Sequence, residues 1–191
     1  MSIVRELRPA ISMVVVFTIA LGVVLPGIFT EAMQAALPVQ ANGSLITENG
    51  RAVGSTLIGQ NFTDAKYFQP RPSALDKPYD AATSGASNLA PTSAALIKAT
   101  SDGVAAYVKA YGPGPVPADA VTSSGSGLDP DISVANALRQ APAVAMARHL
   151  PTATVEALVQ KMTYHAFLGI IGTDHVNVLA LNLALDHLPA S

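Results

Sequence analysis

Cysteine is absent from all 191 residues. That excludes a disulfide framework, thiolate metal sites and thiol nucleophiles, so any folded part depends on its own core. Charge is scarce too: Asp, Glu, Lys and Arg make up 13% of the chain, and the net charge is −2. Nothing is basic enough to track a nucleic-acid backbone. Familiar chemical motifs are missing as well. His149, His165, His175 and His187 form neither H-E-x-x-H nor H-x-H. There is no G-x-x-x-x-G-K-[ST] phosphate loop and no G-x-S-x-G elbow. Asp119, Asp129 and Asp131 lack the spacing of a calcium loop, so capping of nearby backbone is their plainer role.

What the chain does have is one uncharged apolar stretch, residues 9–30. As a helix it would be about 33 Å long, enough to cross the hydrocarbon core of a bilayer. Arg5 and Arg8 precede it, and the next Lys or Arg is Arg51. The positive-inside rule then puts residues 1–8 in the cytoplasm and the bulk of the chain outside. Pro9 suits a first helical turn, whereas Pro26 should kink or end the helix near its outer end. The competing reading is a cleaved signal peptide. The run exceeds the usual ~7–15 apolar residues of such peptides, and residues 32–41 lack a clean A-x-A. The expected organisation is a cytoplasmic N-terminus (1–8), a transmembrane helix (9–30), a linker (31–42) and one periplasmic domain (43–191), long enough for one core and short for two.

The expected fold class is a single N-terminal transmembrane helix plus one mixed α/β (α+β) extracytoplasmic domain, with a small sheet and several helices. Residues 31–37 can continue the helix until Pro38 stops it. Residues 44–47 and 51–58 read as a hairpin around Asn49-Gly50. Residues 59–91 have no sustained period, and so long a loop is either functional or packed as a crossing segment. Leu96, Ile97, Val104, Tyr107 and Val108 recur at helical spacing through 92–111, and residues 111–115 end that helix. Ser133 caps a helix running past Pro142 to His149; another follows at about 153–165. Residues 177–188 alternate like a strand but also carry a helical stripe. A short strand at 174–178 leading into a helix, with Asn177 as cap, fits best.

Two loops repeat one phrase. Ser84, Gly85, Ser87 and Asn88 lead to Leu89-Ala90-Pro91, and Ser124, Gly125, Ser126 and Gly127 lead to Leu128-Asp129-Pro130. Either this is shared helix-entry chemistry, or the loops lie side by side as one polar surface for a ligand or partner. Arg71, fixed between Pro70 and Pro72, points either to a partner's carboxylate or to an internal salt bridge. A hydrolase reading would need Ser124 or Ser126 as nucleophile.

Taken in order, these phrases resemble the C subunit of the Kdp potassium-transporting P-type ATPases of bacteria. The carriers are Leu7-Arg8-Pro9-Ala10, residues 54–62, Tyr67-Phe68 with Arg71-Pro72-Ser73, Ser84-Gly85 with Ser87-Asn88-Leu89, residues 116–130, and Val176-Asn177-Val178-Leu179 with Leu181-Asn182 and Leu185-Asp186. Ala86 and Ala90 depart from glycines expected there. The resemblance implies a non-catalytic, single-spanning inner-membrane subunit with no cofactor of its own. Potassium and ATP would be ligands of the complex. Its partners would be a channel-like potassium-binding A subunit, an ATP-hydrolysing B subunit, a small accessory peptide and membrane lipid. It also implies a role as catalytic chaperone that raises nucleotide affinity. The loop residues Arg71, Ser84, Gly85, Ser87, Asn88, Asp119, Ser124, Gly125, Ser126, Gly127 and Asp129 are then candidates for a partner or ion-path surface. Pro9, Gly22, Pro26 and Gly27 belong to the anchor, where the glycines allow close helix approach. The alternative is a membrane-tethered periplasmic enzyme or binding module using the Ser-Gly loops.

Overall fold

A long apolar helix and a separate α/β domain divide the chain, with the boundary between Leu45 and Ile46. The structure is a computed structural model, and it describes residues 3–188. The remaining residues of the 1–8 and 43–191 segments lie outside the described ones.

In the first unit, α1 (Ile3–Ile19) and α2 (Leu25–Ala36) join through a π-helical turn at Ala20–Val24. Residues Arg5–Ala36 are long and apolar enough to cross a membrane. Pro26 does not end the helix as its chemistry suggests. It occupies the first turn of α2, where its missing N–H costs least. The widened turn just before it accommodates the ring, and there the Leu25 N–H donates to the Ala20 carbonyl, one residue further back than in an α-helix. Pro38 follows the end of α2, as its chemistry requires, but also starts a single helical turn, α3 (Pro38–Ala41).

The second unit begins with the hairpin. Strands β1 (Leu45–Glu48) and β2 (Arg51–Ser55) pair across Asn49 and Gly50, whose φ values of 51° and 76° suit a two-residue hairpin turn. The return strand stops at Ser55 rather than at 58, because the Ser55 hydroxyl accepts the Leu57 N–H and folds the chain back. Residues 59–91 contain no helix or strand. After them comes α4 (Ala94–Tyr111), ended by Gly112 at φ 83°. Its apolar spacing does not mark a buried stripe, since Tyr107 is buried but Ile97 is 62% exposed.

The core lies between three helices and a small antiparallel sheet ordered β3-β5-β4. These strands are β3 (Asp131–Ser133), β4 (Thr163–Tyr164) and β5 (His175–Asn177). Ile132 pairs with Val176, and Val176 with Thr163. Alternation sends Ile132 and Val176 inward and leaves Asp131, Ser133 and His175 on the other face. Helix α5 (Val134–Arg148) is capped by the Ser133 hydroxyl, which accepts the Asn136 N–H, and it continues through Pro142. It buries Ala137, Ala141, Val144 and Ala145, one helical stripe. Against this stripe pack Val155 and Val159 of α6 (Thr152–Lys161) and Leu181 and Leu185 of α7 (Val178–Asp186). Helix α6 ends before 165 because Thr163 and Tyr164 are drawn into the sheet. The strand-then-helix reading of 174–188 matches, with Asn177 Oδ1 accepting the Ala180 N–H.

The loop at 59–91 is a packed crossing segment. Phe68 is fully buried in the core. Its N–H donates to Asn182 Oδ1 at 2.8 Å, and its carbonyl accepts from Asn182 Nδ2 at 3.0 Å. Gln69 repeats this with Gln140: its N–H donates to Oε1 at 2.7 Å and its carbonyl accepts from Nε2 at 3.1 Å. Two side-chain amides thus stand in for a neighbouring strand. Arg148 completes the attachment, pairing with Asp186 at 2.7 Å, donating from Nε to the Lys66 carbonyl, and lying 5.0 Å from the Tyr67 ring centre.

Candidate functional site

The sequence singled out two Ser-Gly loops, and the structure places them side by side. The Gly85 N–H donates to the Ser126 carbonyl at 2.9 Å, and the Ser84 hydroxyl donates to the same carbonyl at 3.1 Å. Ser73 lies against the second loop, its hydroxyl donating to the Gly127 carbonyl at 2.8 Å. Gly127 needs its missing side chain. Its φ is 70°, and a Cβ there would lie 2.7 Å from Leu75 Cγ and 3.0 Å from the Gly85 carbonyl.

Not every candidate joins this seam. Ser87 and Asn88 are exposed, with Asn88 at φ 51°. Ser87 lines an apolar groove of about 380 Å³ between the loops and α4, together with Leu89, Leu96 and Val121. Gly125 is exposed with open space around it.

Of the two readings of Arg71, the internal salt bridge is the one formed. Its Nη1 lies 2.7 Å from Asp129 Oδ2, and both side chains are less than a third exposed. The Tyr79 hydroxyl donates to the Arg71 carbonyl at 2.8 Å, and burial pushes the Tyr79 phenol well above its ordinary pKa. Asp129 also accepts the Asp131 N–H on its other oxygen. Asp119 caps the start of α5: it accepts from the Ser133 N–H, the Ser133 hydroxyl and Asn136 Nδ2.

A groove of about 440 Å³ opens beside these residues. Arg71, Asp119, Asp129, Asp131, Asp174 and His175 line it. Burial raises Asp131 above the usual carboxylate range, opposed by His175 3.9 Å away and by a hydrogen bond from Asn177. Asp174 is pulled the other way, held below that range chiefly by the Ala166 N–H and then by His165. Among the described residues, no group of histidine and carboxylate side chains is arranged to hold a metal ion.

The folded state therefore holds the Asp131 proton to higher pH than the unfolded chain does. Stability from this group falls as pH rises through its folded value. Asp131→Asn keeps an acceptor for Asn177 and removes the charge. It is expected to raise the thermal midpoint at about pH 7, with the gain vanishing as pH falls through the carboxylate range near pH 4. Melting curves of both proteins across that range check this.

The Ser124 hydroxyl accepts the Gly127 N–H at 2.9 Å, and the Ser126 hydroxyl accepts the Leu128 N–H at 3.1 Å, so both oxygens shape the turn. His165, His175 and His187 each face a different acidic residue: Asp174, Asp131 and Glu48. The sequence reading missed the amide pair Gln140 and Asn182. The only signal was polar residues inside otherwise apolar helical stripes.

Comparison with known proteins covers almost the whole chain. A family described as "KdpC: K+-transporting ATPase, c chain" matches residues 7–187. A potassium-transporting ATPase KdpC subunit of Gemmatimonas aurantiaca is 50% identical over 98% of this chain and 95% of the relative. The proteins of the same name from Mycobacterium tuberculosis and Allorhizobium ampelinum are also 50% identical, over 96% and 95% of this chain and 99% and 95% of theirs.

Proposed function

Because the chain belongs to the KdpC family and is thus a subunit of a potassium-transporting ATPase, we propose that it acts as a membrane-anchored, non-catalytic brace of that pump. Residues 9–30 span the inner membrane with the N-terminus inside, residues 31–42 are the linker, and residues 43–191 form a periplasmic domain. The observation that carries this reading is the apolar helix Arg5–Ala36. It has Arg5 and Arg8 near one end and no further Lys or Arg before Arg51. The partners are the potassium-binding and ATP-hydrolysing subunits and the small accessory peptide. The chain holds no cofactor of its own, and potassium and ATP bind elsewhere in the complex.

A role as catalytic chaperone then works at a distance. ATP is cytoplasmic, and the domain sits on the opposite side of the membrane. Stabilising one state of the assembled pump changes nucleotide affinity without contact, because coupling is a property of the states that both sites favour. The Ser-Gly seam and its acidic groove offer a partner-facing or ion-path surface.

The decisive experiment is co-purification with the other pump subunits. The full chain is expected in a stable detergent-extracted complex, and deletion of residues 1–36 is expected to remove it. A full chain that purifies alone defeats the proposal. Saturable binding of millimolar ATP to the isolated α/β domain would replace distant coupling by direct contact.

A further inference from the structure

Glycine follows asparagine twice in this chain, at Asn42-Gly43 and at Asn49-Gly50. Such a pair carries its own covalent chemistry. The glycine nitrogen gives up its proton to water and attacks the asparagine Cγ. The Cγ–Nδ2 bond breaks, ammonia leaves, and a cyclic succinimide remains. One water then opens the ring. Cleavage of the bond from nitrogen to Cγ gives aspartate on the original main chain. Cleavage of the bond to the main-chain carbonyl gives isoaspartate, in which the chain runs through Cγ and is one methylene longer. A following side chain would crowd the attack, and glycine has none. No enzyme or cofactor is needed, so local structure decides which pair reacts.

The structure treats the two pairs differently. The Asn42 amide is tied down at both of its polar atoms. Its Nδ2 donates to the Pro38 carbonyl at 2.7 Å and to Gln34 Oε1 at 2.9 Å, and its Oδ1 accepts from Gln34 Nε2 at 3.3 Å. The nucleophile is engaged as well, since the Gly43 N–H donates to the Gln40 carbonyl at 3.0 Å. These bonds must be given up before Asn42 reacts.

Asn49 and Gly50 form the exposed tip of the β1–β2 hairpin. Among the described residues, the Asn49 amide has no hydrogen-bond partner. In a two-residue turn the closing backbone bonds join the flanking residues, here Glu48 and Arg51, which leaves the Gly50 nitrogen unused. Asn49, at φ 51°, must rotate out of the turn for the ring to close. Opening is easy at this place, because β1 and β2 make a two-stranded sheet by themselves, which is marginal in water. The hairpin is tied at its base, where Asn177 Nδ2 donates to the Thr56 carbonyl and Gln60 Nε2 to the Val53 carbonyl. The tip is held by Glu48 and His187, a solvent-exposed pair 3.1 Å apart.

We infer that Asn49 is a self-modification site, converted through a succinimide closed by the Gly50 nitrogen to aspartate and isoaspartate, while Asn42 is protected. The consequence is local. Asn49 lines a cleft of about 570 Å³ between the hairpin and α7, beside Glu48, Leu183 and His187. Either product adds a carboxylate there. Isoaspartate also lengthens a turn that fits two residues, so the hairpin pairing loosens.

The test ages the full chain in detergent at mildly alkaline pH. Cleavage after Glu31 and Glu48 puts the two asparagines on separate fragments. Exchange of ammonia for water, localised to Asn49, should run at least about tenfold faster than at Asn42, the factor that one extra hydrogen bond in the unreacted state supplies. The Asn49 product should separate into aspartyl and isoaspartyl forms. Hydrogen exchange reads the consequence. Hairpin amides should lose protection in the isoaspartyl chain and keep it in Asn49→Asp, which has the charge without the added methylene. Equal rates at the two asparagines, or faster reaction of Asn42, overturns the site. An isoaspartyl chain whose hairpin keeps its protection overturns the loosening. In denaturant both pairs should react at similar rates, and a preference that survives unfolding overturns the protection of Asn42 by the fold.

Discussion

Asn182→Leu is expected to destabilise the α/β domain by about 2–6 kcal/mol, because it strands two buried backbone groups at about 1–3 kcal/mol each. Leucine keeps the branched outline of asparagine but puts two bulkier methyl groups where the amide oxygen and nitrogen were, so overpacking adds to the loss. What is lost is the pair of bonds at 2.8 and 3.0 Å that satisfy the Phe68 N–H and carbonyl. Both residues are buried, with Phe68 at 0% and Asn182 at 1% exposure, so water cannot replace them without opening the core. Against a total stability of about 5–15 kcal/mol for a typical domain, the loss is large. Denaturant unfolding of residues 43–191 measures it, with Phe68→Ala as the comparison at about 3–5 kcal/mol for a lost aromatic. The effect of Gln140→Leu will not simply add to that of Asn182→Leu, since the two amides hold consecutive residues of one segment. An Asn182→Leu domain with an unchanged denaturation midpoint would show that this segment does not depend on the clamp.

Gly59→Ala is expected to cost about 1–3 kcal/mol through overpacking and to disturb the Ser-Gly seam from beneath. A Cβ at residue 59 would collide with the Tyr79 ring and lie 2.7 Å from the Asp129 carbonyl. Neither obstacle moves easily. The Tyr79 hydroxyl is tied to the Arg71 carbonyl, and the Gly59 N–H holds the Leu128 carbonyl at 2.9 Å. The methyl group must therefore push residues 128–129 away, carrying the Arg71–Asp129 pair with them. Gly125→Ala is the matched control: nothing lies within 4 Å of its added Cβ, and stability should stay within about 0.5 kcal/mol. Thermal unfolding of both variants, alongside potassium uptake by the assembled pump, tells a structural seam from a functional one. Equal stability of the two variants would overturn the close-packing argument.

Local chemistry made much of this architecture legible. Asn49-Gly50, Gly112, Ser133 and Asn177 each determine a turn, stop or cap through their own backbone or side chain, and each does so in the structure. The apolar N-terminal helix was equally plain. Strands β3 and β4 were not, because at three and two residues they are too short to show a period and exist only through pairing with β5. The end of α6 was misplaced for the same reason. Repeated Ser-Gly phrases pointed to the two loops, and hydrogen bonds join them. Arg71 could not be assigned a carboxylate from sequence, since Asp129 is 58 positions away. The amide clamp was hidden because Gln140 and Asn182 lie on helices, where a lone amide reads as a solvent-facing residue until the tertiary contact is known.

The π-helical turn in the anchor has a consequence for anything that packs against it. One inserted residue is a phase slip of about 100° around the helix axis. The faces of α1 and α2 therefore cannot be read from a single helical wheel. Residues five apart in an unbroken α-helix stand about 140° from one another. Gly22 and Gly27 have that spacing, and Gly22 lies inside the widened turn. The slip absorbs part of the angle between them, drawing the two small residues toward a common side that the sequence period alone would deny them.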